Sequence, residues 1–123
     1  MTDARDSPPE VPDGVLVQSI VIDEHDREAG YRIYADGRYE SLPHDGRWQE
    51  GEPLNPERLE AVERAIESVP LDDLAGRYEN PGDPQVLWMQ VAQHGRIRTV
   101  EVAGNRRVPE LDRLSALLTD AFR

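Results

Sequence analysis

The sequence predicts an α+β fold, a two-layer antiparallel sheet built from hairpins with two main helices packed on one face. Runs of β-branched and alternating residues are separated by short turn signals, which is typical of strands joined by hairpins. Two other runs repeat apolar residues at helical spacing. Because the order is strands, helix, strands, helix, sequential pairing gives an antiparallel sheet, and the one-sided helices must cover one of its faces.

The chain of 123 residues is expected to form a single domain over residues 15–123, after a disordered leader over residues 1–14. The leader, "MTDARDSPPEVPDG", is rich in proline and acidic residues and has almost nothing apolar to bury. It lacks the apolar stretch of a signal peptide. No other run approaches the roughly 20 apolar residues that span a bilayer, so we expect a cytoplasmic protein.

The first strands are expected from residue 15 onward. "VLVQSIVI" (15–22) is rich in β-branched residues, and the charged stretch "DEHDREAG" after it predicts a loop. "YRIYA" and "RYESL" then alternate on either side of Asp36 and Gly37. An Asp-Gly pair between alternating runs predicts a hairpin with a two-residue type I′ turn. "RWQE" is expected to add a short fourth strand or to extend the third.

The middle of the chain predicts a helix over "LNPERLEAVERAIESV" (54–69). Asn55 can cap this helix, and Pro56 suits its first position. One apolar stripe runs along it, formed by Leu59, Val62, Ala65, Ile66 and Val69. "LDDLAGRY" is expected to be a short helical turn, and "ENPGDP" a loop.

The last third of the chain repeats the pattern of strands followed by a helix. "QVLWMQVAQ" and "RIRTVEVA" flank His94 and Gly95, which predicts a second hairpin. "VPELDRLSALLTDAF" then predicts an amphipathic closing helix with Pro109 near its start.

The charge of the chain limits its partners. The net charge is −11, and all fourteen basic residues are arginine. Such an acidic protein is repelled by nucleic-acid phosphates and by anionic membrane surfaces, so neither is expected as a partner. The absence of cysteine excludes disulfides and thiolate metal sites.

Residues that could support catalysis are present but not in a catalytic pattern. The three histidines lie in expected turns or loops without the paired spacing of metal ligands: His25, His44 and His94. The acidic pairs Asp72–Asp73 and Glu50–Glu52 flank no apolar pocket, whereas an acid/base pair needs a buried member with a raised pKa. No nucleophile elbow or phosphate loop occurs. We therefore expect no enzymatic activity, no cofactor and no metal.

The sheet face opposite the helices is the predicted contact surface for another protein that carries an acidic segment. Side-chain alternation assigns it two aromatic and three arginine residues: Arg32, Tyr34, Trp88, Arg96 and Arg98. Aromatic residues and arginine are enriched at protein interfaces. The same types are also ordinary solvent-facing strand residues that pair across strands. Both interpretations remain open at this point.

Two further functions are compatible with the sequence. A small-molecule-binding or hydrolytic domain would have a pocket between sheet and helices that uses His44, Asp45 and Trp48. A deep pocket with convergent polar groups would favour this alternative. A homodimer through edge strands or the open sheet is the other possibility.

Five motifs together carry a resemblance to known proteins. "YRIYADGRYE", "LNPERLEAVERAIESVPLDDL", "DPQVLWMQV", "GRIRTVEV" and "VPELDRLSALL" resemble small bacterial and archaeal domains of unknown function. Over residues 15–122, the layout is also similar to emfourin, a proteinaceous inhibitor of thermolysin-like metalloproteases. This resemblance implies a prokaryotic inhibitor with a protease as partner. No inhibitory residue matches a position in this chain, so the resemblance assigns no site.

Overall fold

The computed structural model describes residues 9–23, 25, 27–43, 47–69, 76–79, 85–93, 96–103 and 109–121. These residues form seven strands and two helices, and the α+β class predicted from the sequence is confirmed. The strands are β1 (Val15–Ile22), β2 (Glu28–Tyr34), β3 (Tyr39–Leu42), β4 (Gln49–Glu50), β5 (Gly76–Glu79), β6 (Val86–Gln93) and β7 (Arg96–Ala103). The helices are α1 (Pro56–Glu67) and α2 (Pro109–Ala121).

The described strands form one open sheet in the order β4-β3-β2-β1-β6-β7-β5. Every neighbouring pair is antiparallel except β5 and β7, which are parallel. The two hairpin units β1–β2 and β6–β7 meet through β1 and β6 at the centre of the sheet. The sequence therefore predicted the main pairing correctly.

Strand β5 corrects the prediction of a helical turn over "LDDLAGRY". Gly76–Glu79 is an edge strand paired with β7, from Gly76 opposite Val100 to Glu79 opposite Ala103. A four-residue segment has little preference of its own, so pairing with β7 decides its conformation. Residues 71–75, the rest of that predicted turn, lie outside the described residues, as do residue 70 and residues 80–84.

The turn between β2 and β3 also differs from its prediction. Tyr34 N donates to Arg38 O at 2.9 Å, and Gly37 N donates to Tyr34 O at 2.9 Å. Gly37 has φ +95°. This is a three-residue loop, with a type I turn followed by a left-handed glycine, and not a two-residue type I′ turn. The register shifts by one residue, which places Glu40 opposite Arg32.

The main hydrophobic core contains residues of both helices and of one face of the sheet, which we call the core face. Val17 lies opposite Val91, and Met89 opposite Val100, so these side chains project to the same side. They form one buried cluster with helix residues, among them Val62, Ala65 and Ile66 of α1 and Leu111, Leu114 and Leu118 of α2. Most of the apolar stripe predicted for α1 is confirmed by this cluster.

Helix α1 begins as its sequence predicted. Asn55 is the N-cap, and its side-chain oxygen accepts a hydrogen bond from Arg58 N at 2.8 Å. Pro56 occupies the first helical position, where the missing N–H has no cost. The other end is tied to the sheet, because Gln93 Nε2 donates to Ile66 O at 3.1 Å.

Candidate functional site

The five residues predicted as a contact surface do not share a face. Trp88 lies opposite Glu101, and Met89 opposite Val100, so the even-numbered residues of β7 project to the core face. Arg96 and Arg98 therefore lie on the core face. Arg32, Tyr34 and Trp88 lie on the other side of the sheet, which we call the second face. The prediction of one co-facial set is wrong because alternation orders side chains within a strand but does not give the register between strands.

The aromatic residues of the second face are also buried, contrary to the prediction of an open surface. Trp88 is 4% exposed and Tyr34 is 8% exposed. Trp88 belongs to a second apolar cluster with Ile20, Ile22, Leu42 and Val86, and Trp48 packs against it. Trp88 Nε1 is buried and has no hydrogen-bond acceptor among the described residues. In this conformation, Trp88 and Tyr34 are buried in the core and are not exposed to solvent.

Beside this apolar cluster, four polar residues form a row across the sheet, which we call the polar row: Glu40, Arg32, Gln18 and Gln90. Each lies directly opposite the next, on β3, β2, β1 and β6. Arg32 Nε donates to Glu40 Oε1 at 2.7 Å, and Arg32 Nη1 donates to Gln18 Oε1 at 3.2 Å. Gln18 Nε2 donates to Gln90 Oε1 at 3.1 Å. One continuous hydrogen-bond chain therefore crosses four strands.

The charged end of the polar row is held by aromatic neighbours. Tyr34 OH donates to Glu40 Oε1 at 2.5 Å, and the Arg32 guanidinium lies 3.8 Å from the centre of the Trp48 ring. The Tyr34 hydrogen bond, together with Arg32, lowers the pKa of Glu40 below its usual value. Burial raises the pKa of Tyr34, and its bond to Glu40 adds to the effect. Glu40 is therefore held ionised.

The neutral end of the polar row contacts the leader. Gln18 Nε2 donates to Glu10 O at 3.1 Å, and Gln90 Nε2 donates to Pro9 O at 2.9 Å. Where the sequence predicted disorder over residues 1–14, the structure places residues 9–14 against the sheet, and residues 1–8 lie outside the described residues. Gly14, with φ +86°, then turns the chain into β1.

Sequence reasoning missed the two glutamines, although a signal was present. Gln18 and Gln90 are 0% and 4% exposed, and each interrupts an apolar strand run, "VLVQSIVI" and "VLWMQV". A single amide in the middle of a buried strand must find hydrogen-bond partners, since an unpaired buried amide is costly. Two such positions on neighbouring strands indicate a buried polar pair.

A different kind of surface occurs at the start of β7. Strand β5 pairs with β7 only from Val100 to Ala103, and no strand of the described residues pairs with the outer edge of residues 96–99. We call this segment the β7 edge. Ile97, at 46% exposed, is a large hydrophobic side chain on it, and Arg96 is also exposed. Exposed apolar residues on a strand edge favour pairing with another chain.

The predicted pocket between sheet and helices has no support at the residues named for it. Trp48 lies on the second face, and His44 and Asp45 lie outside the described residues. A cleft of about 450 Å³ does occur beside α1, lined by Leu16, Glu63, Ile66, Glu67, Ala92 and Gln93. The Gln93 amide is already engaged by Ile66 O and Val69 O. The cleft contains none of the three residues that the sequence predicted for a ligand pocket, His44, Asp45 and Trp48.

The other candidate catalytic or metal-binding residues are exposed or lie outside the described residues. His25, Glu50 and Glu52 are exposed, and His94 and the pair Asp72–Asp73 fall outside the described ranges. Across the described ranges, no three histidine, aspartate or glutamate side chains are grouped as metal ligands would be. Neither of the described helices is long and apolar enough to span a membrane.

Comparisons with known proteins add no family to this description. No protein-family model matches the chain, and no curated protein matches it. The resemblance to emfourin-type inhibitors therefore stays a prediction.

Proposed function

We propose that the chain is a non-enzymatic protein-binding module whose β7 edge pairs with an extended acidic segment of another protein. The observation that carries the proposal is Ile97, which is 46% exposed on a stretch of strand that no described strand pairs with along its outer side. Addition of a strand to such an edge is a common mode of peptide recognition. An inhibitor that captures an extended segment of its target is one form of this module.

The geometry of the β7 edge predicts the sequence of the segment it binds. Arg96 is exposed and projects to the core face, and Ile97 projects to the second face, so an added strand meets a positive charge on one side and an apolar group on the other. Directly opposed side chains stabilise a strand pair when they are opposite in charge or both apolar. The preferred segment therefore alternates acidic with β-branched or aromatic residues.

The opposite edge of the sheet is a poorer site. Strand β4 has only two residues, Gln49 and Glu50, and both are exposed and polar. Short, charged edges are the usual protection against pairing with another chain. The described part of the sheet is therefore asymmetric, with one protected edge and one edge that carries an exposed apolar residue.

Glu40, the carboxylate of the polar row, is not tuned for acid/base catalysis. An acid/base carboxyl that works near neutral pH has a raised pKa. Hydrogen bonds from Tyr34 and Arg32 lower the pKa of Glu40. This partly buried carboxylate therefore serves as a hydrogen-bond acceptor in the polar row and is not suited to proton transfer near neutral pH.

Panning of a random peptide library displayed on phage tests the proposal. We expect enriched peptides in which acidic residues alternate with β-branched or aromatic residues. Ile97→Lys should weaken their binding about tenfold or more, because a lysine on an edge strand opposes pairing. Ala116→Lys, which adds the same charge on the exposed side of α2, is the matched control and should change binding less than about twofold.

Two results would overturn peptide binding at the β7 edge, and a third would overturn the choice of partner. One is a library that yields no binding peptide to the folded protein. The other is a set of peptides whose affinity is the same for the wild-type chain and Ile97→Lys. Dimerisation, measured by sedimentation and abolished by Ile97→Lys, would instead show that the β7 edge pairs with a second copy of this chain. This result would overturn the proposal that the partner is a different protein.

A further inference from the structure

We propose that the side-chain amides of Gln18 and Gln90 form a recognition site for extended, proline-containing segments, and that residues 9–12 occupy this site as an intramolecular ligand. The site lies on the second face and does not depend on the β7 edge. Its intermolecular ligand is a segment of another protein with the same chemistry as the leader. The leader then acts as a latch that such a segment must displace.

The recognition chemistry follows from the leader's own contacts. Pro9 and Pro12 have no backbone N–H, so this segment cannot join the sheet as an ordinary strand. Its backbone carbonyl oxygens act as hydrogen-bond acceptors toward the sheet. Gln90 Nε2 donates to Pro9 O at 2.9 Å and Gln18 Nε2 donates to Glu10 O at 3.1 Å, which satisfies two successive carbonyls with two side-chain donors.

The polar row fixes which way both amides point. Arg32 Nη1 can only donate, so the Gln18 atom that faces it must be Oε1, and Nε2 is directed away from Arg32. Gln18 Nε2 in turn requires Gln90 Oε1 as its acceptor, which leaves Gln90 Nε2 for the leader. Glu40 anchors Arg32 at the start of the chain of hydrogen bonds. The two donors are therefore pre-oriented for carbonyl groups, as a binding site requires.

An acceptor matters because both amides are buried when the leader is in place. Gln18 and Gln90 are 0% and 4% exposed in that state, and an amide donor in such a place is costly when it has no acceptor. The tethered leader supplies acceptors at a high effective concentration, so a separate peptide binds well only when the leader is displaced or altered. Proline adds to the affinity of either occupant, since it lowers the entropy lost on binding an extended chain.

Binding of a labelled peptide, measured by fluorescence polarisation, tests the proposal. The probe is an end-blocked peptide with the sequence of residues 7–14, "SPPEVPDG". The proteins are the full-length chain and a full-length variant in which glycine and serine replace residues 8–12. We expect the probe to bind the variant about tenfold or more tightly than the wild-type chain.

A second substitution links that binding to one donor atom. Gln90→Glu, introduced into the leader variant, keeps the acceptor for Gln18 Nε2 but replaces the Gln90 donor by a carboxylate oxygen that repels a carbonyl. The probe should then bind about tenfold or more weakly. Gln49→Glu makes the same change at an exposed position of the sheet and should leave binding within about twofold.

The remaining outcomes each overturn the proposal. A folded leader variant that does not bind the probe shows that the amides do not recognise a separate segment. Equal binding of the probe with and without Gln90→Glu shows that atoms other than Gln90 Nε2 provide the affinity. A leader variant that fails to fold, together with failure of the milder full-length double variant Pro9→Gly/Pro12→Gly, shows that the leader is part of the core and cannot be displaced.

Discussion

Gln18 and Gln90 face each other across the central strands β1 and β6, with Gln18 Nε2 3.1 Å from Gln90 Oε1. This pair lies in the middle of strands that are otherwise mostly apolar, and it continues on one side to Arg32 and Glu40. A buried polar network of this kind stabilises a fold only when its members are satisfied. The leader completes it by accepting the last donors.

The bond between Arg32 and Glu40 should contribute measurably to stability. Their side chains are only 13% and 24% exposed, and Arg32 also supports Gln18. In a double-mutant cycle with Arg32→Met and Glu40→Gln, we expect a coupling free energy of about 1–3 kcal/mol from chemical denaturation.

The pair Arg27 and Asp23 is the matched control for that cycle. Its N–O distance is 2.9 Å, but Arg27 is 57% exposed. An exposed ion pair is worth less than about 1 kcal/mol. A coupling free energy for Arg32 and Glu40 as small as that for Arg27 and Asp23 would contradict a stabilising role for the charged end of the polar row.

Low pH should decrease the stability of the protein, partly through protonation of Glu40. The pKa of this carboxyl is lower in the folded chain than its ordinary value of 4.5. The ionised carboxylate therefore contributes fully to the stability of the folded state above that pH, and this contribution is lost as pH falls through the folded pKa. Glu40→Gln keeps an acceptor for Tyr34 but removes the titration. We expect the unfolding free energy of the variant to fall less between pH 7 and pH 3, roughly the window in which carboxyls titrate. An equal fall in the wild-type chain and the variant would contradict this.

Alkaline pH should lower the stability of the protein through deprotonation of Tyr31. Burial, with a smaller effect of Tyr39, raises the pKa of Tyr31 from 10.0 to about 12. The two rings stack with centres 6.4 Å apart. Because the unfolded chain releases this proton first, the unfolding free energy should decrease as pH rises from 10.0 to about 12. Tyr31→Phe should flatten this decrease, which urea denaturation across that range measures. A decrease of equal slope in the variant would show that other groups cause it.

Substitution of the turn glycine Gly37 should destabilise the protein. Its φ of +95° is unfavourable for other L-residues, and an added Cβ would lie 3.0 Å from Leu54 O. Gly37→Ala should lower the unfolding free energy by about 1–2 kcal/mol or more. Gly14→Ala is the matched control, since its φ is +86° and its nearest contact would be a Tyr34 side-chain atom at 3.9 Å. An equal loss in both variants would mean that the Leu54 contact adds nothing.

Local patterns were sufficient to predict most of the fold. Strand β1, with its β-branched residues, and strand β7 have the bounds expected from the sequence, and Asn55 caps α1 as expected. Strand β5 could not be found in this way, because its pairing with β7 is made between segments distant in the chain. The turn at Gly37 was ambiguous, since an Asp-Gly pair is compatible with a two-residue or a three-residue loop.

The site was less predictable than the fold for a similar reason. Alternation correctly placed Trp88 with Gln90, and Arg98 with Val100, but the relation between the two strands depends on register. The burial of Trp88 depends on Ile20 and Trp48, which are far from it in sequence. Contacts between distant segments therefore decided both which residues share a face and which of them are buried.

The central claim is that buried glutamines hold the leader on the sheet, and its most direct test is the ¹H–¹⁵N heteronuclear NOE of Glu10 and Val11. In the wild-type full-length chain, we expect values close to those of the ordered backbone of β1. Gln90→Glu should lower them toward those of a mobile chain while β1 and β6 keep theirs. Low values at Glu10 and Val11 in the wild-type chain, or unchanged high values in Gln90→Glu, would contradict the claim.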